Sequence, residues 1–207
     1  MTVTILCVIS GVIAYLLGSM NTSMLVSKFM GKDVRKEGSG NAGATNTLRV
    51  FGKGAAAVVV LGDALKGVIA VLIARILVGI FAAVGEIVSP AYTAAFCVVL
   101  GHNFPLYFGF KGGKGIMTSA AVIFMLDWRI GLIVLVCAIA VMAITRYVSL
   151  GSCIACIIFP VAVILFHSDD ALFIVLSLAM AVLALFMHRA NIVRLIKGTE
   201  SKINFKK

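Results

Sequence analysis

Charge is scarce in this chain of 207 residues: Asp, Glu, Lys and Arg make up 13%, about half the share in an ordinary soluble domain. Acidic residues are scarcest, 8 against 18 Lys and Arg, and they form no carboxylate cluster of the kind a divalent metal needs. A nucleotide–magnesium phosphotransferase is disfavoured on that ground. Proline occurs three times, and neither an internal repeat nor a low-complexity tract is visible. The first 27 residues carry no charge at all. They therefore lack the basic start of a secretory signal, and the opening stretch is expected to be a first membrane span.

Apolar side chain is in excess: 62% of residues are hydrophobic and mean hydropathy is +1.14. At about 20 residues per membrane-spanning helix, this is enough for about six or seven spans. An ordinary soluble enzyme, a disordered tail and a small disulfide-stapled module are excluded. One domain over 1–207 is the natural count at this length. In a soluble protein the net charge of +10 would suggest nucleic acid. Here the cations sit between apolar runs, so topology explains them and no nucleic-acid partner is expected. All five cysteines lie inside apolar runs, and the C-x-x-C of Cys153 and Cys156 reads as two small apolar side chains on one helix.

Uncharged stretches place spans near 3–26, 55–78, 88–101, 115–127, 130–146, 149–167 and 171–187. The third, fourth and fifth are shorter than a perpendicular helix wants, which gives a range of five to seven spans. Lys28, Lys32, Arg35, Lys36, Arg49 and Lys53 follow the first span, and Arg189, Arg194, Lys197, Lys202, Lys206 and Lys207 follow the last. The positive-inside rule puts both groups on the cytoplasmic side, with Lys111, Lys114 and Arg146. Glu86, Asp169 and Asp170 belong on the opposite face, near Arg75 and Arg129. An outer N-terminus and an inner C-terminus require an odd number, so the expected fold is all-α and polytopic with seven transmembrane helices.

Function is expected where polar residues break the apolar pattern without topological need, and four such islands share the predicted inner face. The first runs from Asp33 to Asn46, followed by Arg49. Its glycines Gly38, Gly40 and Gly43 allow close backbone approach, so successive N–H groups can form an anion nest. Ser39, Asn41, Thr45 and Asn46 add short donors, and Arg49 adds a planar fork suited to phosphate. The second runs from Gly101 to Gly115 and ends Lys111-Gly112-Gly113-Lys114-Gly115, a phosphate-cradle composition ahead of a helix N-terminus. It is not a Walker A loop, because Phe108 and Gly115 stand where that motif needs Gly and Ser or Thr. His102 is a candidate base, although Tyr107 stands where many acyltransferases place an Asp after such a His. The third is the short turn Arg146 to Ser152, with Ser149 and Ser152. The fourth runs from His188 to Glu200, where His188, Asn191 and Arg194 fall near one helical face. Topology explains Arg189 and Lys197 but not His188, Asn191 or Glu200. Inside span two, Asp63 and Lys66 lie three residues apart on one helix side, and ionisable groups within a membrane segment are functional candidates by default.

Together these islands resemble one family, the bacterial acyl-phosphate:glycerol-3-phosphate acyltransferases (the PlsY family). Its S-G-N-x-G-x-T-N is matched by Ser39 to Asn46, followed by the expected Arg49. Its G-H-x-F-P-x-x-x-x-F-x-G-G-K-G resembles Gly101 to Gly115, and its N-I-x-R-L-x-x-G-x-E resembles Asn191 to Glu200. D-x-x-K-G is matched at Asp63, Lys66 and Gly67, and R-Y-x-S-L-x-S at Arg146 to Ser152. Asn21 stands where the family usually has a proline in the first span, so a proline kink is not expected there.

The resemblance implies a seven-span enzyme with its site on the cytoplasmic face. Such an enzyme moves a fatty acyl group from acyl phosphate to the 1-hydroxyl of glycerol 3-phosphate, giving lysophosphatidic acid and phosphate. It implies no metal, no cofactor and no covalent acyl-enzyme. Because an acyl phosphate is already activated, the protein must chiefly align a hydroxyl with a carbonyl and stabilise an oxyanion. Arg49 and Lys114 are then the expected clamps, with Gly40, Gly43, Gly112, Gly113 and Gly115 around them. Ser39, His188 and Asn191 orient the groups, while Glu200 orders the constellation. Asn41, Thr45, Asn46, Lys66, His102, Ser149 and Ser152 complete the expected contacts. His188, His102 and a substrate phosphate are all candidate proton acceptors. The rival from another class is a transporter for a phosphorylated metabolite, against which the motifs cluster on one face and no inverted repeat appears.

Overall fold

The computed structural model of the chain describes residues 2–81 and 88–203. Glu86, Lys206 and Lys207 lie outside the described residues. Among those described, all regular structure is helical: α1 (Val3–Ser19), α2 (Thr22–Phe29), α3 (Ala44–Phe51), α4 (Lys53–Phe81), α5 (Ser89–Asn103), α6 (Ile116–Leu126), α7 (Trp128–Thr145), α8 (Val148–Phe166), α9 (Ala171–Met187) and α10 (Arg189–Ile196). Short 3-10 turns cover Val34–Lys36 and Leu106–Phe108. Among the described residues four helices are long and apolar enough to cross a membrane: Val3–Phe29 taken together, α4, α7 and α8. A fifth is added if α9 and α10, bent by 61°, count as one span. α5 and α6 are short, with 15 and 11 residues, as their apolar runs suggest. The fifth apolar run does better than its charge-free stretch implies. Asp127 accepts the Arg129 and Ile130 N–H groups at 2.8 and 3.4 Å and so starts α7 at Trp128.

The helices gather into two compact units, Met1–Leu126 and Asp127–Lys207. In the first, α1 packs along α5, and α4 packs against α1, α3, α5 and α6. The interior is made of small residues such as Ala14, Ala70, Ala74, Ala94 and Ala95, while Val8, Val12, Leu61, Leu65 and Ile76 point outward. That inversion is what lipid-exposed helices require, because close backbone approach rather than water exclusion drives their packing. At the α1–α5 crossing a methyl group on Gly18 would run into the Val98 carbonyl, and one on Gly101 into the Tyr15 carbonyl. The first span breaks at Met20–Asn21 although proline is missing there. Asn21 Oδ1 instead caps α2 by accepting the Met24 N–H at 3.0 Å.

In the second unit α7, α8 and α9 run alternately up and down, with α10 packed on α8 and α9. Its two ends differ chemically. At one, Asp127 accepts from His167 Nε2 at 2.7 Å and from Arg129 Nη2 at 2.8 Å, and Asp170 caps α9 through the Phe173 N–H. At the other, the Ile203 N–H donates to the Arg146 carbonyl at 2.9 Å, and Lys202 Nζ lies 5.3 Å above the Tyr147 ring. The tail after α10 is thereby fastened to the α7–α8 turn. Cys153 and Cys156 are both buried in α8.

Candidate active site

The first unit draws the first and second islands together. Arg35 Nη1 donates to the Phe108 carbonyl at 3.2 Å, Asn21 Nδ2 to the Ala42 carbonyl at 3.4 Å, and the Leu106 N–H to Ser19 Oγ at 3.1 Å. Tyr15 Oη donates to the Phe104 carbonyl at 2.9 Å. Sequence reasoning missed Tyr15, Ser19 and Asn21. The signal was the polar interruption of an otherwise apolar first span.

Asn46 is the internal frame of the first island. Its Oδ1 accepts the Ser39 N–H at 2.8 Å, and its Nδ2 donates to the Val34 and Glu37 carbonyls at 2.9 and 3.0 Å. The loop before α3 is thus held by one side chain that is 1% exposed, so Asn46 shapes the loop rather than facing out of it. Ser39 and Arg49 are exposed, and Asn41, Gly43 and Thr45 half-buried. The guanidinium of Arg35 beside Asp33 holds that carboxyl below its usual range. Arg35 is thereby committed to the loop, whereas Arg49 has no ion pair among the described residues.

In the second island the chain turns back on the end of α5. The Gly112 N–H donates to the Asn103 carbonyl at 3.1 Å and the Gly113 N–H to the His102 carbonyl at 3.2 Å. A side chain at Gly112 would strike the His102 carbonyl, and one at Gly113 would strike His102 Nε2 and the Ala42 carbonyl. Lys114 is half-buried beside them, and α6 begins at Ile116 just beyond. Glycine backbone, a lysine and a helix N-terminus therefore meet in one place, an arrangement suited to an anion. Lys66 and His102, expected among the substrate-binding residues, are 6% and 3% exposed. Lys66 Nζ donates to Asp63 Oδ1 and His102 Nδ1, each at 2.9 Å.

The second unit assembles the third and fourth islands around Glu200. Its Oε1 accepts from Ser149 Oγ at 2.8 Å and Asn191 Nδ2 at 2.7 Å, while Oε2 accepts from Arg194 Nε at 2.7 Å. Burial pushes the Glu200 carboxyl up, but the hydrogen bonds from Arg194, Asn191 and Ser149 outweigh it and hold the group below its usual range. A carboxylate so occupied acts as an orienting acceptor. Ser152 Oγ turns back to the Val148 carbonyl at 3.0 Å, within its own helix. His188 is buried where α9 meets α10, and its Nδ1 lies 2.8 Å from the Ala184 carbonyl. A carbonyl only accepts, so Nδ1 carries the proton and the neutral ring has its basic lone pair on Nε2. Among the described residues no three of His, Cys, Asp and Glu come together as a metal-holding group.

Comparison with known proteins places this geometry in context. The sequence profile of a family described as glycerol-3-phosphate acyltransferase matches residues 8–198. A curated relative of that name from Clostridioides difficile (strain 630) is 46% identical over 204 residues, 97% of either chain. A crystal structure of PlsY, an integral membrane glycerol 3-phosphate acyltransferase, in its glycerol 3-phosphate form, superposes with a TM-score of 0.86 at 33% identity, covering 96% of each chain. The same enzyme in its lysophosphatidic acid form gives 0.83 at 32% identity, over 96% of this chain and 95% of that one.

Proposed function

The chain belongs to the glycerol-3-phosphate acyltransferase family, and from that premise we propose that it takes its acyl group from an acyl phosphate. It is a multi-pass membrane acyltransferase that acylates glycerol 3-phosphate in phospholipid synthesis. Nothing among its relatives supports the transporter reading. The observation that carries the site assignment is the meeting of the Gly112–Gly115 cradle with the first island, where Gly113 lies against the Ala42 carbonyl of the loop that bears the exposed Ser39 and leads into the helix of the exposed Arg49.

In the proposed reaction the 1-hydroxyl oxygen of glycerol 3-phosphate attacks the acyl carbonyl carbon. The bond from that carbon to the phosphate oxygen then breaks, and inorganic phosphate leaves. Arg49 and Lys114, with Gly40, Gly43, Gly112, Gly113 and Gly115, grip phosphoryl groups. Ser39, Asn41 and Thr45 supply further short donors, Asn46 supports the backbone behind them, and Ser152 braces the start of its own helix in the second unit. Two phosphates held together would repel, and fixed cations and N–H groups offset that repulsion without reorganising during the reaction. Asn191 and His188 orient the attacking hydroxyl, with Glu200 and Ser149 holding Asn191. Of the three candidate acceptors for the hydroxyl proton, His102 is buried with its Nδ1 on Lys66, which leaves His188 and the departing phosphate, whose second pKa of about 6 suits the task. The scheme uses no metal, no cofactor and no covalent acyl-enzyme.

One substrate is water-soluble and the other carries a long tail, so the reaction belongs at a membrane interface. The basic loops support the cytoplasmic face of the inner membrane for that interface, and an outer N-terminus with an inner C-terminus fits the seven spans expected from the sequence.

The deciding experiment is phosphate release by purified protein given acyl phosphate and glycerol 3-phosphate, with each omitted in turn. Release should require both substrates. Arg49→Ala and Asn191→Ala should each abolish it while the protein still inserts and folds. Near-wild-type release in both variants would overturn the site assignment.

A further inference from the structure

We propose that Asp63, Lys66 and His102 form a positioning unit that sets the shape of the glycine cradle, and that Lys66 and His102 influence glycerol 3-phosphate only through it. The inference rests on the cradle reading above and adds a role for buried groups lying well inside the chain. Asp63 sits ten residues into α4, about 15 Å along its axis.

The proton inventory of Lys66 comes first. An ammonium has three N–H donors and no acceptor. Lys66 Nζ lies 2.9 Å from Asp63 Oδ1, 2.9 Å from His102 Nδ1 and 3.2 Å from the Gly18 carbonyl, with the Met20 carbonyl sharing at 3.4 Å. Every donor is used inside the protein, and none is left for a substrate phosphate. Neutralising Asp63 would need no more than the ion pair itself. The two carbonyls and the imidazole go further: they tie α4 to the end of α1 and to the end of α5.

The imidazole follows from the ammonium. His102 Nδ1 also lies 3.5 Å from Asp63 Oδ1, but the shorter contact is with Lys66; because an ammonium only donates, Nδ1 accepts and the neutral ring carries its proton on Nε2. That Nε2 edge lies against the Cα of Gly113, beside the Ala42 carbonyl of the first island, where no side chain fits. The ring is thus pinned by Lys66 on one edge and forms the floor of the cradle with the other. The main-chain carbonyl of the same residue holds the Gly113 N–H.

Asp63 completes the frame. Its Oδ1 accepts from Thr22 Oγ1 at 3.1 Å, at the start of α2, and its main-chain carbonyl accepts from Thr118 Oγ1 at 3.0 Å, in the first turn of α6. One node therefore ties together the α1–α2 break, α4, the end of α5 and the start of α6. Those elements carry both glycine-bearing islands. A tilt of the His102 ring moves Gly113 directly, because nothing lies between them.

The test uses the full-length protein in detergent. Asp63→Asn combined with Lys66→Met removes both charges and keeps the side-chain volumes, so no buried charge is left alone. The KM for glycerol 3-phosphate should rise by about tenfold to a hundredfold, while the KM for acyl phosphate stays within about twofold. An unchanged KM for glycerol 3-phosphate overturns the inference, as does a loss of kcat that merely follows the folded fraction. The wild-type protein gives a second check that needs no variant. Nitrogen-15 NMR of histidine-labelled enzyme should find His102 neutral with its proton on Nε2; an Nδ1–H tautomer or an imidazolium overturns the inference. Lys114→Ala separates the two readings. If it leaves the KM for glycerol 3-phosphate unchanged, the cradle reading itself fails. If it raises that KM and the double variant does not, only the positioning unit fails.

Discussion

Glu200→Ala asks whether the second unit's polar constellation acts as one piece. The Glu200 side chain is 6% exposed and accepts from Asn191, Ser149 and Arg194 at 2.7, 2.8 and 2.7 Å. These bonds are unequal. Asn191 and Ser149 are 7% and 5% exposed, so truncation strands two buried donors at about 1–3 kcal/mol each. The Arg194 side chain is 39% exposed, water replaces its partner, and that pair contributes only about 0–1 kcal/mol. The expected loss of stability is therefore about 2–6 kcal/mol, nearly all from the buried pair. If about half of it comes from the freed Asn191 amide and is felt in the transition state, kcat falls about 10- to 100-fold. Arg194→Ala should change kcat no more than about fivefold, because it removes only the solvated pair. Glu200→Gln keeps an acceptor but turns an N–H toward Arg194, so it belongs between the two. Phosphate-release kinetics with a parallel thermal midpoint measure all three. Arg194→Ala as damaging as Glu200→Ala would refute the reasoning, and so would a wild-type kcat in Glu200→Ala.

Three further outcomes are expected. Asn46→Ala should destabilise the protein by about 1–3 kcal/mol, since Ser39, Val34 and Glu37 lose their common partner; thermal unfolding and the kcat of the variant check this. Asp127 is held below the usual carboxylate range by hydrogen bonds, that from Arg129 first and that from His167 also. A depressed folded value gives stability that is present above the unfolded value of about 3.9 and is lost as pH falls below it. The difference in thermal midpoint between wild type and Asp127→Asn should accordingly shrink below about pH 4; a constant difference across the acid range would contradict it. Chelators should leave phosphate release unchanged, and inactivation reversed by added metal would overturn the metal-free scheme.

The helices were readable because a membrane allows little else. Where no water reaches the backbone, each apolar run must satisfy its own N–H and C=O groups, so the edge of a run is close to the edge of a helix. The misreadings fall where a side chain, not hydropathy, decides. Asn21 and Asp127 each begin a helix by capping, inside stretches whose average composition says nothing of it. The candidate site residues stand out for a related reason: in a chain this apolar, a buried polar group requires a partner. What hydropathy and spacing do not reveal is the partner. Leu106 and Ser19 meet across 87 residues, and Lys66 and His102 across 36. Those meetings depend on how closely α1 and α5 cross, and that closeness depends on the missing side chains of Gly18 and Gly101. Lys66 is one of the expected substrate contacts while its partners are unknown; once the crossing brings His102 and the end of α1 to it, those partners are seen inside the protein. The chemistry of a polar residue in a membrane protein is written in its type; whether it touches substrate is settled by small residues elsewhere that decide which neighbours use its protons first.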